Sequence, residues 1–282
     1  MQVAETIDAV RKLVRAARTG AKKIGLVPTM GALHIGHIAL IEAAVEKCDF
    51  VVVSIFVNPT QFGPGEDFEK YPRPLDRDLE ICRKHGVALV FAPTPQEMYG
   101  SENLTWVNVE KLTEPLCGKF RPVHFRGVTT ICAKLFNIVL PDVAFFGQKD
   151  AQQAIVIKKM TADLNMPLEI IICPTIREPD GLAVSSRNKY LSKQHRKDAA
   201  LIYKSLLKCS QMIDSGIKDT PKIITEMRNV LRHAPSIKVE YISIVDAETL
   251  QNLDHAARKV LAAVAVRIGS ARLIDNILVD AN

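Results

Sequence analysis

The chain has 282 residues, which suits one large or two modest domains, and 48% of them are hydrophobic against 24% charged, the composition of a globular protein with a sizeable core. Its net charge of +6 is spread along the chain with no basic block interleaved with aromatics, which favours an anionic small-molecule substrate over a nucleic acid. No apolar run approaches the roughly 20 residues needed to span a bilayer, and the six cysteines form no CxxC pair of the kind a thiolate zinc site needs.

The first residues, MQVAETIDAVRKL, are amphipathic rather than basic-then-apolar, so they do not read as a signal peptide and the chain reads as cytosolic. Apolar residues at helical spacing predict a helix over 6–18, closed by Gly20. The short run IGLVPT (24–29) predicts a buried strand, and 37–48 returns to helical spacing. FVVVSIFV (50–57) is almost continuously apolar and β-branched, as in a strand covered on both faces. The alternation continues with a helix over 75–85, a strand over 87–92, a helix over 127–139, a strand over 142–146, a helix over 150–162 and a strand over 168–173. Strands alternating with helices of 10–15 residues mean βαβ units: the fold class is α/β, a parallel sheet with helices on both faces. After Pro174 the texture changes. Two helical segments (193–213 and 221–233) precede three strand-like runs (238–245, 260–268 and 272–279), which predicts a smaller α+β domain over 176–282 following a first domain over 1–175.

The candidate motifs fall mostly where strands end, and ligands of parallel sheets sit beyond the carboxyl ends of the strands. Met30-Gly31-Ala32-Leu33-His34-Ile35-Gly36-His37 follows a strand and opens a helix. Its glycines admit a ligand to the backbone, the helix start suits phosphate, and His34 and His37 can donate to phosphoryl oxygens. HxGH is the signal for nucleotidyl transfer onto the α-phosphate of ATP, and several families share it. Phe56, Asn58 and Gln61, at the end of the long central strand, combine neutral amides with apolar neighbours. Such a wall suits a small acid carrying hydroxyls and methyls, although Asn58-Pro59 also reads as a plain turn. Gly147-Gln148-Lys149-Asp150 is a third strand-to-helix junction. There Lys149 offers a cation, Asp150 reads as helix cap or ligand, and Gln153 one turn along faces the same side as Lys149. Asp180 to Asn188 supplies Val184, Ser185, Ser186 and Arg187, a set able to clamp phosphate from a loop that could close over the site. Arg121, His124 and Arg126 either form an anion site or face water. From these residues alone, another HxGH nucleotidyltransferase, a truncated aminoacyl-tRNA synthetase without a KMSKS loop, and an RNA-binding protein on a nucleotide fold all remain open.

Taken together, PTMGALHIGH, VSIFVNPTQF, EDFEKYPR, HFRGVTT, FFGQKDAQQ, DGLAVSSRN and ARLIDN resemble the pantothenate synthetase (pantoate–β-alanine ligase) family in order and spacing, over nearly the whole chain. The resemblance implies a Rossmann-like ATP-binding domain with a smaller second domain, usually in a homodimer, using Mg²⁺ through ligands the sequence leaves unknown. It implies ATP contacts from Met30 to His37, with His37 as proton donor. It further implies that Gly147 to Asp150, Ile176 and Val184 to Arg187 complete the nucleotide site. Gln61 and Gln153 would hold pantoate, Gln61 would also reach β-alanine, and Phe56 and Asn58 match residues lining the pantoate pocket. Val123, Ala151 and Val184 depart from the family pattern.

Overall fold

The computed structural model describes all residues, Met1–Asn282, which divide into two compact units. The first comprises Met1–Thr113, Phe120–Gly147 and Gln153–Pro174; the second comprises Glu114–Lys119, Gln148–Gln152 and Thr175–Asn282.

The first unit is built on six strands, all parallel: β1 (Gln2–Ala4), β2 (Ile24–Thr29), β3 (Phe50–Ile55), β4 (Leu89–Phe91), β5 (Val143–Gly147) and β6 (Glu169–Cys173), in the spatial order β1-β4-β3-β2-β5-β6. From β2 the chain winds one way to β3 and β4 and then returns to the other side for β5 and β6. This places the topological switch beside β2, between it and β5, where parallel sheets bind their ligands. Ile24, Leu26, Val27, Val52 and Val53 are fully buried, as continuous β-branched runs in a covered sheet must be. The helices that connect these strands are α1 (Ile7–Thr19), α2 (Ile35–Lys47), α3 (Leu75–Lys84), α4 (Pro95–Tyr99), α5 (Cys117–Phe120), α6 (His124–Val139) and α7 (Ala151–Asp163). Thr6 caps α1, accepting the Ala9 amide, and the apolar stripe Val10, Val14, Ala17 turns inward.

The periodic segments agree with the sequence reading to within about three residues at each end. Three short elements escaped it: β1, α4 and α5, of 3, 5 and 4 residues. They are too short for periodicity to register. Helix α4 nevertheless carries a readable start, Thr94-Pro95-Gln96-Glu97. Thr94 accepts the Glu97 amide, Pro95 occupies the first turn, and the Glu97 carboxylate reaches the Ile7 amide at 2.7 Å instead of closing the box.

In the second unit, β7 (Ile237–Asp246), β8 (Lys259–Ile268) and β9 (Ala271–Asp280) form an antiparallel meander with β8 central. Helices α8 (Lys193–Asp214) and α9 (Thr220–Arg232) pack on it through Ile202, Leu206, Met227 and Leu231, against Val264 and Val266. The segments 114–119 and 148–152 belong here because polar bonds tie them to it. Gln152 accepts the Cys117 amide at 2.9 Å and donates to the Pro115 carbonyl at 2.8 Å, and Asn276 of β9 holds the 148–149 backbone. All six cysteines are buried free thiols. Burial pushes Cys82, Cys132 and Cys209 up to about 12, which removes them as nucleophiles near neutral pH.

Candidate active site

The loop after β2 carries Met30 to His34 into α2. His34 is the N-cap, and its Nδ1 accepts the Gly36 amide at 3.2 Å. His37, one turn on, accepts the His34 amide at its own Nδ1 at 3.3 Å. The two rings face each other at a tilt of 32°, with centroids 4.1 Å apart. This is a capping box made of two imidazoles in place of the usual hydroxyl and carboxylate. A backbone N–H can only donate, so both Nδ1 atoms are acceptors, and each ring in this arrangement is neutral with its proton on Nε2. Glycine suits position 36, since a Cβ there would stand 3.0 Å from the His34 ring, a tight contact. The helix start therefore carries neutral imidazoles with Nε2–H donors, a set suited to phosphoryl oxygen.

What holds this loop is Asp78, in the first turn of α3, which the sequence reading passed over. Its carboxylate is 1% exposed and accepts the Ala32 amide at 2.7 Å and the Leu33 amide at 2.8 Å. A buried ion receiving two backbone donors is a strong positional restraint. The signal for it was weak, one acid among several in PRPLDRDLE.

After β3 the chain enters a short 3-10 turn, Pro59–Gln61, capped by Asn58. Asn58 is 1% exposed, and its amide is taken up by the protein: Nδ2 donates to Gln61 Oε1 at 3.1 Å and to the Gly127 carbonyl at 3.2 Å. Its Oδ1 accepts from Thr60 and Tyr99. Asn58 thus orients Gln61, whose Nε2 lies 3.4 Å from the Met30 sulfur. Helix α6 packs directly on this turn. A Cβ at Gly127 would stand 2.5 Å from the Thr60 carbonyl oxygen, so only glycine lets the helix approach.

Arg121 and His124 support Gln61 from behind and are occupied by neighbouring protein groups. Arg121 forks onto Glu66 at 2.7 and 2.5 Å and donates to the Gln61 carbonyl at 3.3 Å. It also meets His124 Nε2 at 3.1 Å, which leaves His124 Nδ1 as the donor to the same carbonyl at 3.0 Å. Burial alone would raise the Glu66 carboxyl; the Arg121 fork and a Gly63 backbone bond outweigh it and hold the group below the usual range. Arg126 lies over the Trp106 ring, 4.7 Å from its centroid.

In the first unit, then, Met30 to His37, Phe56, Asn58 and Gln61 stand at neighbouring strand ends, with Gln153 partly buried in the first turns of α7. In the second unit, Gln148–Asp150 is clamped by Asn276, whose Oδ1 accepts from Gln148 Nε2 at 2.9 Å and whose Nδ2 donates to the Gln148 and Lys149 carbonyls at 3.0 and 2.9 Å. Lys149 Nζ is 3.8 Å from the Asp150 carboxylate, a loose pair. The Val184 amide bonds the Ile176 carbonyl at 3.0 Å. Ser185 caps the 3-10 turn Ser186–Tyr190 by accepting the Arg187 amide. Beneath it Arg177 forks onto the buried Asp275 at 2.6 and 3.0 Å and lies over the Tyr203 ring. Burial pushes the Asp275 carboxyl above its usual range, against the opposing pull of Arg177.

Comparison with known proteins identifies the lineage. The family described as pantoate-β-alanine ligase matches residues 2–278. The chain belongs to that family. It is 54% identical over 278 residues to the pantothenate synthetase of Thermoanaerobacter sp. (strain X514), covering 99% of this chain and 98% of that one. It is 52% identical to that of Moorella thermoacetica over the full length of both. Among solved structures, the Thermus thermophilus pantothenate synthetase superposes with a TM-score of 0.94 at 43% identity, over 98% of this chain and 99% of that chain. A Francisella tularensis pantoate-β-alanine ligase, crystallised with beta-gamma ATP and β-alanine, gives 0.81 at 35% identity over 99% and 97%. Both solved structures share this fold over nearly the whole chain.

Proposed function

We infer that the chain is an ATP-dependent ligase that joins pantoate to β-alanine through a pantoyl adenylate, as its family membership indicates. One observation carries the mechanism: the His34–His37 pair, locked neutral with Nε2–H at the start of α2. A pantoate carboxylate oxygen attacks the α-phosphorus of ATP, the bond to the β-phosphate bridging oxygen breaks, and pyrophosphate leaves. The nucleophile is already ionised, so this step asks for charge stabilisation and not for a base. His34 and His37 donate to oxygens gaining negative charge, with His37 the closer match to a proton donor, and the backbone from Met30 to Gly36 lies against the nucleotide. Lys149 and Arg187 supply cations to the same nucleotide, and Gly147, Gln148, Asp150, Ile176, Val184, Ser185 and Ser186 bind it. A Cβ at Gly147 would meet no protein atom within 4 Å, so the fold does not demand glycine there; close approach of a ligand would.

Gln61 and Gln153 hold pantoate beside Phe56, and Asn58 serves by orienting Gln61. The β-alanine amine then attacks the acyl carbon, the acyl–phosphate bond breaks, AMP leaves, and the amine releases a proton. Closure of the loop bearing Val184 to Arg187 would keep water from the anhydride. No group of three or more His, Cys, Asp or Glu converges on a metal position. Mg²⁺, as the family resemblance implies, would neutralise charge on the phosphate oxygens, and Asp150 is the carboxylate that would hold it. The reading extends to a homodimer working in the cytoplasm, in keeping with the family resemblance and with buried, unpaired thiols. No helix is long and apolar enough to cross a membrane.

The test is the stoichiometry. Sustained release of AMP and pyrophosphate is expected only when pantoate and β-alanine are both supplied; ADP formation, or indifference to pantoate, overturns the reading. His37→Ala and Lys149→Ala should each slow single-turnover adenylate formation by at least about 10²-fold, the scale of a lost transition-state donor. Unchanged rates remove them from that role.

A further inference from the structure

Tyr99 ends α4, and its ring centroid stands 6.3 Å from that of Phe56 while its hydroxyl donates to Asn58 Oδ1 at 2.6 Å. The same oxygen receives the Thr60 backbone amide at 3.4 Å and the Thr60 hydroxyl at 2.9 Å. Amide side chains are two-faced, and what fixes their sense here is backbone. The Thr60 N–H can only donate and the Gly127 carbonyl can only accept, so the Asn58 oxygen faces the first and its NH₂ the second. Gln61 must then offer Oε1 to Asn58 Nδ2. Its Nε2 is left as the outward end, and the acceptor it meets in this structure is the Met30 thioether, a weak one. The bonds run in one sense, from Tyr99 through Asn58 to Gln61. Burial, the largest influence, raises the Tyr99 hydroxyl above its ordinary range, so it remains a donor at any working pH. Lys134 Nζ lies over the Tyr99 ring, 5.4 Å from its centroid.

We propose that Tyr99 is a positioning residue for pantoate: its hydroxyl holds Asn58, its ring supports Phe56, and together they present Gln61 to the substrate as a hydrogen-bond donor. The site therefore selects an oxygen acceptor, a hydroxyl or carboxylate oxygen, at that point. This rests on Gln61 being a pantoate contact.

A binding cycle on the full-length protein separates the two claims. Pantoate affinity is measured by calorimetry, with a non-hydrolysable ATP analogue present, for the parent, Tyr99→Phe, Gln61→Ala and the double variant. The Phe variant keeps the ring and removes the hydroxyl, with its bond to Asn58 and its 3.1 Å contact to the Thr60 hydroxyl. It should weaken pantoate binding about five- to tenfold in the parent background, the scale of one hydrogen bond, and by no more than about twofold where Gln61 is already absent. Affinity for the ATP analogue should hold within about twofold in both. Thr60→Val removes a second donor from the same oxygen and should show the same dependence on Gln61, more weakly. Equal losses from Tyr99→Phe in both backgrounds, or no loss in either, overturn the proposal while leaving Gln61 in place. An unchanged affinity in Gln61→Ala overturns the reading of Gln61 itself.

Discussion

The two units hold their candidate residues by different means. In the first, the restraints are mostly local: His34 on Gly36, His37 on His34, Asn58 on Thr60 and Gln61 lie within three residues of each other. In the second, the residues are held from far along the chain. Asn276 grips Gln148 across 128 positions, and Asp275 anchors Arg177 across 98. A parallel sheet delivers its strand ends one after another, so a site at those ends is built from contiguous peptides whose own turns orient them. A loop outside regular structure has no such frame, and β9 supplies one through Asp275 and Asn276. Site geometry is therefore a property of local turns in one unit and of tertiary bonds in the other.

The contrast is tested most severely at Asp275. Its carboxylate is 1% exposed and paired with an Arg177 side chain that is itself 17% exposed. Asp275→Ala leaves a largely buried guanidinium without its counter-ion, which costs about 3–5 kcal/mol. Thermal unfolding of the second unit should shift down accordingly, with loss of nucleotide binding at temperatures where the first unit remains folded. Replacing both partners together, Arg177→Met with Asp275→Leu, should restore much of the stability, because an apolar pair avoids the desolvation that the ions incur. Parallel losses in the single and double variants would show that β9 does not key the loop through this pair.

Asp78 is one exception within the first unit, as are Tyr99, Arg121 and His124: a distant residue that steadies a local turn, and it sharpens the comparison. Asp78→Asn keeps the shape but turns an NH₂ toward one of the two backbone amides it now accepts. One buried amide loses its partner, at about 1–3 kcal/mol. Because the strain falls on Ala32 and Leu33, adenylate formation should slow by roughly tenfold to a hundredfold, while pantoate affinity, set by the Asn58–Gln61 turn, stays near the parent value. Should both fall together, the two turns are one mechanical unit and the distinction between them is lost.

Much of this was legible in the sequence because hydrophobic periodicity reports what a helix or strand must bury. The β2, α2 and β3 segments announce themselves, and the HxGH and Asn-Pro-Thr-Gln peptides sit where those strands end. Arg121 and His124 were ambiguous for a physical reason. A cation before a helix reads equally as solvent-facing or ligand-facing until its partner is known, and the partners, Glu66 and the Gln61 carbonyl, lie 55 and 60 positions away for Arg121. Asp78, Tyr99 and Asn276 carry no periodic signal at all. Their roles follow from what they accept or donate across the fold, and composition does not encode that. Asn58 shows the same limit from the other side: its type reads as a substrate contact, and only the fold adds that its amide also orients Gln61.

The smallest expected effect is also the one most specific to pH. The Glu66 carboxyl is held below its ordinary range because the Arg121 fork outweighs the cost of burial. An acid whose folded-state value is depressed adds stability that is fully present above its unfolded value, about 4.3 for glutamate, and that is lost as pH falls through the lower folded value. With both side chains partly solvated, 15% and 24% exposed, the contribution is below about 1 kcal/mol. Glu66→Gln should therefore melt slightly below the parent near neutrality, with the gap closing as pH falls below about 4.3. Since Arg121 also steadies the Gln61 carbonyl, the same variant should bind pantoate a few-fold more weakly at pH 7, with ATP-analogue affinity unchanged. Melting curves that stay a constant distance apart at every pH would mean the fork is a bystander, and Gln61 would then be held by Asn58, its 3-10 turn and His124 without it.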